Sequence, residues 1–505
     1  MPTRQPDVPL NRGTRRAFPL GTLAAMSASL LAACGTPGVR GVAGTAPAPN
    51  VSWTPPPSPS TPRPERRGAP AAALLPPDVA ERVAQLKLAD VIDIALRNNA
   101  ATGAAWADAR AAAASYGAAQ GQYYPTLTLD GNVTAVKTVP SAGRLATKQQ
   151  FLNPTLNLSW LLFDFGGRSG SVGVAREALL AADWTHNATL QSVVLEAEQA
   201  YFDYLGTRTL LGAQQTTLKE AQTNLEAAEQ RHNVGLATIA DVLQARTALS
   251  QVRLTLQATE GRLQTTRGAL ALSMGLPANV PYDLAVPSDT TVPPGISDSV
   301  DALIERAVRE RPDLAAARAL VAAARARVSV ARSQALPSLS VGGTTAETDF
   351  LSGRPIFRNS YTATLTLSFP LFSGGAQIYD VKAAAAAADA AARRAHSFEQ
   401  QVVYEVFNAY YALRTATQQV RTSADLLTSA TQSEQVALGR YRAGAGSLLD
   451  LLTAQAALAG ARADAIAARF SWYLALAQLA HDTGVLGLDG GTPLHVRTDS
   501  TGTPK

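Results

Sequence analysis

Two periodicities take turns along the chain. From Leu86 to Gln122 apolar residues recur at helical spacing, with an alanine run at 111–114, and Pro125 stops the pattern. Leu127, Leu129, Gly131 and Val133 then alternate with Thr126, Thr128, Asp130 and Asn132, which predicts a strand with one apolar and one polar face. A loop is expected around Ser141 to Gln149. After it, Leu156, Leu158, Trp160 and Leu162 alternate with Thr155, Asn157 and Ser159, a second strand ended by Asp164-Phe165-Gly166-Gly167. No proline occurs from Arg168 to Asn233, and Leu211, Leu218 and Leu225 fall seven apart as in a coiled coil. At about 1.5 Å per residue that helix is roughly 100 Å long, far beyond ordinary globular helices. After a turn at Gly235 a shorter helix returns from Thr238 to Met274, and Gly275-Leu276-Pro277 stops it.

The pattern then repeats. Ile92, Ala95, Arg97, Gln122, Pro125, Leu127 and Gly131 recur as Ile304, Ala307, Arg309, Gln334, Pro337, Leu339 and Gly343, each displaced by 212 positions. Gly166-Gly167 recurs as Gly374-Gly375, and Ala200-Tyr201-Phe202 as Ala409-Tyr410-Tyr411. The second copy has its own strands near 338–345 and Tyr361 to Leu371. Its long helix runs from about Gln377 to Tyr441, with Leu413, Val420 and Leu427 seven apart, and a return helix spans Ser447 to about His481. The expected organisation is a first repeat over 78–275, a proline-rich connector over 276–297, a second repeat over 298–484 and a polar tail over 485–505.

Each long helix ends in the same turn. Val234-Gly235-Leu236 leads to Thr238 and Asp241; Ala443-Gly444-Ala445 leads to Ser447 and Asp450. Glycine supplies the left-handed backbone that closes a helix, Ser or Thr caps the next one, and a carboxylate three residues on suits its N-terminus. One such motif is weak; two, each flanked by long helices, mark a duplication.

Composition changes the picture mainly at the N-terminus. Four arginines and one aspartate of this 505-residue chain lie in positions 1–33, so the rest is close to neutral and gives no basis for nucleic-acid binding. Arg12, Arg15 and Arg16 precede a mostly apolar stretch closed by Leu31-Ala32-Ala33-Cys34, which reads as a signal peptide over 1–33. It resembles the bacterial lipobox, which implies that Cys34, the single cysteine, carries diacylglycerol and a fatty acid such as palmitate. Gly35 after it implies sorting to the outer membrane. Residues 34–77, rich in Pro, Ala, Ser and Thr, read as an extended tether with order starting near Asp78.

No later stretch offers eighteen consecutive apolar residues, so any membrane-spanning part has to be a β-barrel. Four amphipathic strands cannot close one, because lipid leaves open edges unsatisfied. Closure requires several copies, and three copies give twelve strands. The fold class is α+β, with four barrel-forming strands per chain beside long coiled-coil helices. Trp160, Phe163 and Phe165 at a strand end fit an interfacial aromatic girdle, or an interior cluster. Enzyme signatures are missing: Val136 stands where a P-loop before Lys137-Thr138 needs glycine, the five histidines have no metal spacing, and no nucleophile elbow occurs.

The duplicated order, the paired Pro and Gly-Gly landmarks and the turn motif resemble the TolC family of outer-membrane efflux proteins over about Leu86 to Val485. With the lipobox, the chain is most similar to the lipoprotein branch. The resemblance implies a homotrimer whose twelve-stranded outer-membrane β-barrel is continued by a long periplasmic α-helical coiled-coil barrel, a passive duct served by a periplasmic adaptor protein and an inner-membrane pump of the RND type. It needs no cofactor beyond the lipid on Cys34. It implies a periplasmic gate in which Asp450 forms a ring and Tyr441 hydrogen-bonds Asp241, and adaptor contacts at 234–236 and 443–445. The family's arginine and further aspartate near the second turn are replaced by Gly446 and Thr453. On spacing alone Asp241 and Asp450 are equally helix-start carboxylates, and Tyr441 a cover for the turn. Type I protein secretion and a structural coiled-coil lipoprotein are the other functions this pattern allows; the alternating strands speak against the latter.

Overall fold

The computed structural model describes residues 45–46, 48–54, 86–138, 147–279, 282–285, 299–351 and 358–486. Cys34, the signal segment, and most of the expected tether, connector and tail lie outside them. The first repeat comprises α1 (Leu88–Asn98), α2 (Ala100–Gln120), β1 (Thr126–Thr138), β2 (Thr147–Phe163), α3 (Gly167–Asn233) and α4 (Ile239–Ser273). The second comprises α5 (Val300–Glu310), α6 (Pro312–Ser333), β3 (Ser338–Phe350), β4 (Arg358–Ser368), α7 (Ala376–Arg442) and α8 (Leu448–Asp482). Both long helices have 67 residues and both return helices 35, so the duplication extends to element lengths.

The helix expected over Leu86 to Gln122 is broken at Asn99. That residue is extended, at φ −65° and ψ 129°, and its Oδ1 accepts from the Ala101 N–H to start α2. Its counterpart 212 positions on, Arg311, is extended too and precedes Pro312 at the first turn of α6. In both repeats this residue also closes the end of the returning helix. Asn99 Nδ2 donates to the Ser273 carbonyl at 3.3 Å, and Arg311 Nη1 to the Asp482 carbonyl at 3.4 Å. A short helix, α1 or α5, thus folds back at mid-height while α4 is continued by α2 and α8 by α6.

The four strands form one antiparallel sheet in the order β1-β2-β3-β4. β2 begins earlier than its alternation suggests, at Thr147, because Pro154 is accommodated opposite Gly131 while the pairing to β3 skips residues 153 and 154. β4 ends at Ser368 rather than Leu371, where Pro370 has no N–H to donate.

The helices pack in the same order as the strands. Above the mid-height break the sequence of neighbours is α2-α3-α6-α7; below it, α4-α3-α8-α7. One edge of the protomer is therefore always first-repeat (β1, α2, α4) and the other always second-repeat (β4, α7). One core lies under α1, around Ile94, Leu190, Tyr201, Leu270 and Met274; its twin lies under α5, around Leu303, Val402, Leu413, Trp472 and Leu479.

Within the stretch read as an extended tether, residues 45–46 and 48–54 instead dock on the helices. Trp53 is 5% exposed and its ring meets Trp184 edge-on at 5.2 Å. Its N–H donates to Asn187 Oδ1, and Asn187 Nδ2 returns a bond to the Trp53 carbonyl, both at 2.7 Å. Trp106 Nε1 donates to the Ala46 carbonyl at 2.8 Å. Beside this strap Asp183 is fully buried with neither oxygen bonded among the described residues, and burial pushes its carboxyl up to about 8, which favours the protonated form.

Candidate functional site

The register of the sheet brings the alternating apolar positions of the four strands onto one face. Leu127 pairs with Leu158, which pairs with Gly343 and then Ala363; Leu129 pairs with Leu156; Trp160 pairs with Val341 and then Leu365. Leu127, Leu129, Val133, Leu365 and Leu367 are all more than 60% exposed, a density of apolar surface that water disfavours and lipid requires. The opposite face is a polar ladder. Asn157 Nδ2 donates to Asp130 at 2.8 Å, Thr344 donates to Asn157 Oδ1 at 3.1 Å and Thr348 to Asn153 Oδ1 at 3.2 Å. A sheet with this division separates lipid from an aqueous lumen.

Trp160, Phe163 and Phe165 lie at the helical end of the sheet, where β2 turns into α3. All three are exposed; Phe163 and Phe165 meet at 4.7 Å, and Trp160 Nε1 donates to the Tyr123 carbonyl at 3.0 Å. The sequence reading missed their companions Tyr124, Phe369 and Phe372, which are exposed at the same level. The Gly374-Gly375 landmark pointed to this level in the second repeat.

At the far end, both turns close alike. The Gly235 N–H donates to the His232 carbonyl and the Leu236 N–H to the Arg231 carbonyl; Gly444 and Ala445 repeat this with Tyr441 and Arg440. Gly235 and Gly444 have φ of +80° and +74°, which this closure requires. Val234 and Leu236 are 71% and 77% exposed, two apolar side chains in open solvent; Ala443, Gly444 and Ala445 are exposed as well.

Asp241 and Asp450 both complete capping boxes. Asp241 Oδ2 accepts from the Thr238 N–H and hydroxyl, and Asp450 Oδ2 accepts from the Ser447 N–H. Asp450 sits at an exposed position and Asp241 at a half-buried one. The expected hydrogen bond between Tyr441 and Asp241 is not made within the protomer. Asp241 is held by its own helix start, and the face of the Tyr441 ring is covered by Arg231, whose guanidinium carbon lies 4.5 Å from the ring centroid. Arg231 Nη2 also reaches the Tyr441 carbonyl at 3.4 Å. Tyr441 is half-buried against a small core of Ala228, Val242, Ala245, Leu448 and Leu451 that ties the two hairpins. At Gly446 an added Cβ would stand 3.1 Å from the Arg440 Cβ, so the turn lies tight against α7 there.

This geometry matches known proteins over most of the chain. A sequence model of outer membrane efflux proteins matches residues 91–276 and 303–485, one span for each repeat. The chain belongs to the outer membrane efflux protein family. Protein CyaE of Bordetella pertussis is 31% identical over 85% of this efflux protein and 91% of its own length. Outer membrane protein OprJ of Pseudomonas aeruginosa is 26% identical over 74% of this chain and 78% of its own. The Campylobacter jejuni CmeC outer membrane channel superposes with a TM-score of 0.70, covering 85% of this chain and 94% of the channel at 20% identity, which places the efflux protein in the same fold. The efflux protein is thus an outer-membrane channel protein, with its sheet at the membrane and its helices on the periplasmic side.

Proposed function

We propose that three copies of the chain close head to tail into a duct, the outer-membrane exit of a tripartite efflux system for drugs, metals or other small molecules. The constant order of elements carries this reading. β1 and β4 are unpaired edges, and in each layer below them α2 or α4 lies on the same side as β1, and α7 on the side of β4. A single rotation therefore brings β4 and α7 of one copy onto β1, α2 and α4 of the next. Exposed apolar side chains line both edges: Phe407, Tyr411 and Val436 on α7, Leu243, Leu254 and Leu272 on α4. Cross-linking in mild detergent tests it; trimers are expected, and a stable monomer refutes closure.

The tips at 234–236 and 443–445 are the docking points for the helical hairpins of a periplasmic adaptor, which joins the duct to an RND-type inner-membrane pump. Lipidation at Cys34 anchors the mature N-terminus; several acyl chains hold durably where one is marginal. Intact-mass measurement of the membrane form should find a chain starting at Cys34 with added acyl mass, and any other start sinks the anchor. Cys34→Ala with a working signal is expected to retain part of the export.

At the periplasmic mouth, three copies of Asp450 would ring the axis and concentrate cations. Arg231 over Tyr441, a contact worth about 1 kcal/mol at a partly exposed site, would hold the second hairpin against the first. In planar bilayers the channel should be cation-preferring, and Asp450→Ala should weaken that preference. Arg231→Ala should raise conductance several-fold, whereas Tyr441→Phe, which keeps the ring face, should resemble wild type. If Asp450→Ala leaves selectivity untouched, Asp450 is a helix-start residue only.

A further inference from the structure

A cavity of about 390 Å³ lies at mid-height between α7 and α8, capped by the residue that breaks the second repeat, Arg311. Tyr404, Glu405, Asn408, Gln478, His481 and Asp482 supply its polar lining, and Ala409, Ala412 and Ala475 leave the room. Around the α7 axis, Val402, Val406, Ala409 and Leu413 point to the core under α5. Tyr404 and Asn408 lie about 120–160° away from Val402 at 3.6 residues per turn, so the cavity opens on the wall face turned from α5. Phe407 and Tyr411 occupy the neighbouring strip, which belongs to the edge that meets the next copy.

Charge is unbalanced here. Arg311 is spent: Nε and Nη2 bind Asp313 at 3.1 and 2.6 Å, and Nη1 binds Glu405 at 2.6 Å. Against this single fixed cation stand Asp313, Glu405 and Asp482. Asp482 is only 4% exposed; its Oδ1 accepts from Gln478 at 2.9 Å and faces His481 Nδ1 at 3.0 Å, while no donor among the described residues reaches Oδ2, which keeps contact with solvent. A carboxylate oxygen left to solvent, in a cavity with excess negative charge, is open to a cationic donor. At the rim Tyr404, 66% exposed, offers an aromatic face, the other surface that an organic cation prefers.

We propose that this cavity binds organic cations with an aromatic body, the ammonium or amidinium group against Asp482 and Glu405 and the body on Tyr404. Its volume falls in the range of small-molecule sites. On the duct reading, α5 lies outside the wall, so three such sites face the lumen at one height and cationic cargo pauses there.

Ethidium is the probe. Fluorescence titration of the purified full-length protein in detergent is expected to show saturable binding, with neutral phenanthridine at least tenfold weaker. Asp482→Asn, which keeps shape and the Gln478 bond, and Tyr404→Ala, at an exposed position, should each weaken ethidium about tenfold, a loss of about 1.4 kcal/mol. Melting curves by circular dichroism check that both variants fold. No saturable binding, equal binding of phenanthridine, or unchanged affinity in the folded Tyr404→Ala protein overturns the site. Bilayer conductance of the wild type is read separately: ethidium binding without conductance would sink the duct and leave the site standing.

Discussion

Gly235→Trp is expected to abolish export while leaving the yield of trimer unchanged. No atom lies within 4 Å of the position a Cβ would take at Gly235, so the indole meets nothing inside the protomer. The backbone there has φ +80°, where a residue with a Cβ costs about 1–3 kcal/mol. That cost falls on one turn at the end of a 67-residue helix whose last buried anchor is Ala228, so it does not reach the two cores at mid-height of the protomer. What the indole fills is the space beside Val234 and Leu236, the two exposed apolar side chains that an adaptor hairpin would cover. Gly235→Asn separates strain from obstruction, because asparagine tolerates the left-handed region and is small; export should survive in it. Both variants are compared by drug accumulation in cells and by co-purification of the adaptor. Normal export by the tryptophan variant removes this tip from the docking surface.

The architecture was legible because its signals are long or doubled. A 67-residue helix without proline and strands that alternate strictly leave little choice of element, and the displacement by 212 positions shows each element twice. What escaped depends on partners far away in sequence. Trp53 sits among prolines and serines that read as a tether, yet its partners Trp184 and Asn187 lie more than 130 residues on. Asn99 and Arg311 share a position in the repeat but not a chemistry, so the break they make does not stand out from one repeat alone.

The site divides in the same way. The apolar face, the aromatic end of β2 and the two exposed turns follow from local pattern. The contact between the hairpins does not: Arg231 is an ordinary last-turn cation by sequence, and only folding brings it over Tyr441. The carboxylate that resemblance assigned to Tyr441 is already used, since Thr238 three residues before Asp241 claims it. A capping box legible in the sequence thus competes with the longer-range bond, and in the protomer the local partner wins.

Arg311→Met should be the most destabilising single change in the helical wall, at about 3–5 kcal/mol. The side chain is 5% exposed and holds together three elements at the level where α8 ends and α6 begins: Asp313 on α6, Glu405 on α7 and the last carbonyls of α8. Burial opposes its charge, but the two carboxylates more than offset this and hold its pKa above the ordinary value. Removing the guanidinium leaves Asp313 and Glu405 facing each other's charge in a half-buried site, which costs more than the lost bonds themselves. The first-repeat twin is a graded control. Asn99 does the same joining with neutral bonds, and Asn99→Ala should cost only about 1 kcal/mol. Because much of the penalty is unpaired charge, Arg311→Met combined with Asp313→Asn and Glu405→Gln should recover most of the loss, although no ion pair is restored. Denaturant or thermal melts followed by circular dichroism at pH 7 read these variants against the wild type. If Arg311→Met melts with the exposed control Arg309→Met, or if the triple variant is no more stable than the single one, the guanidinium is not what joins the second repeat at mid-height.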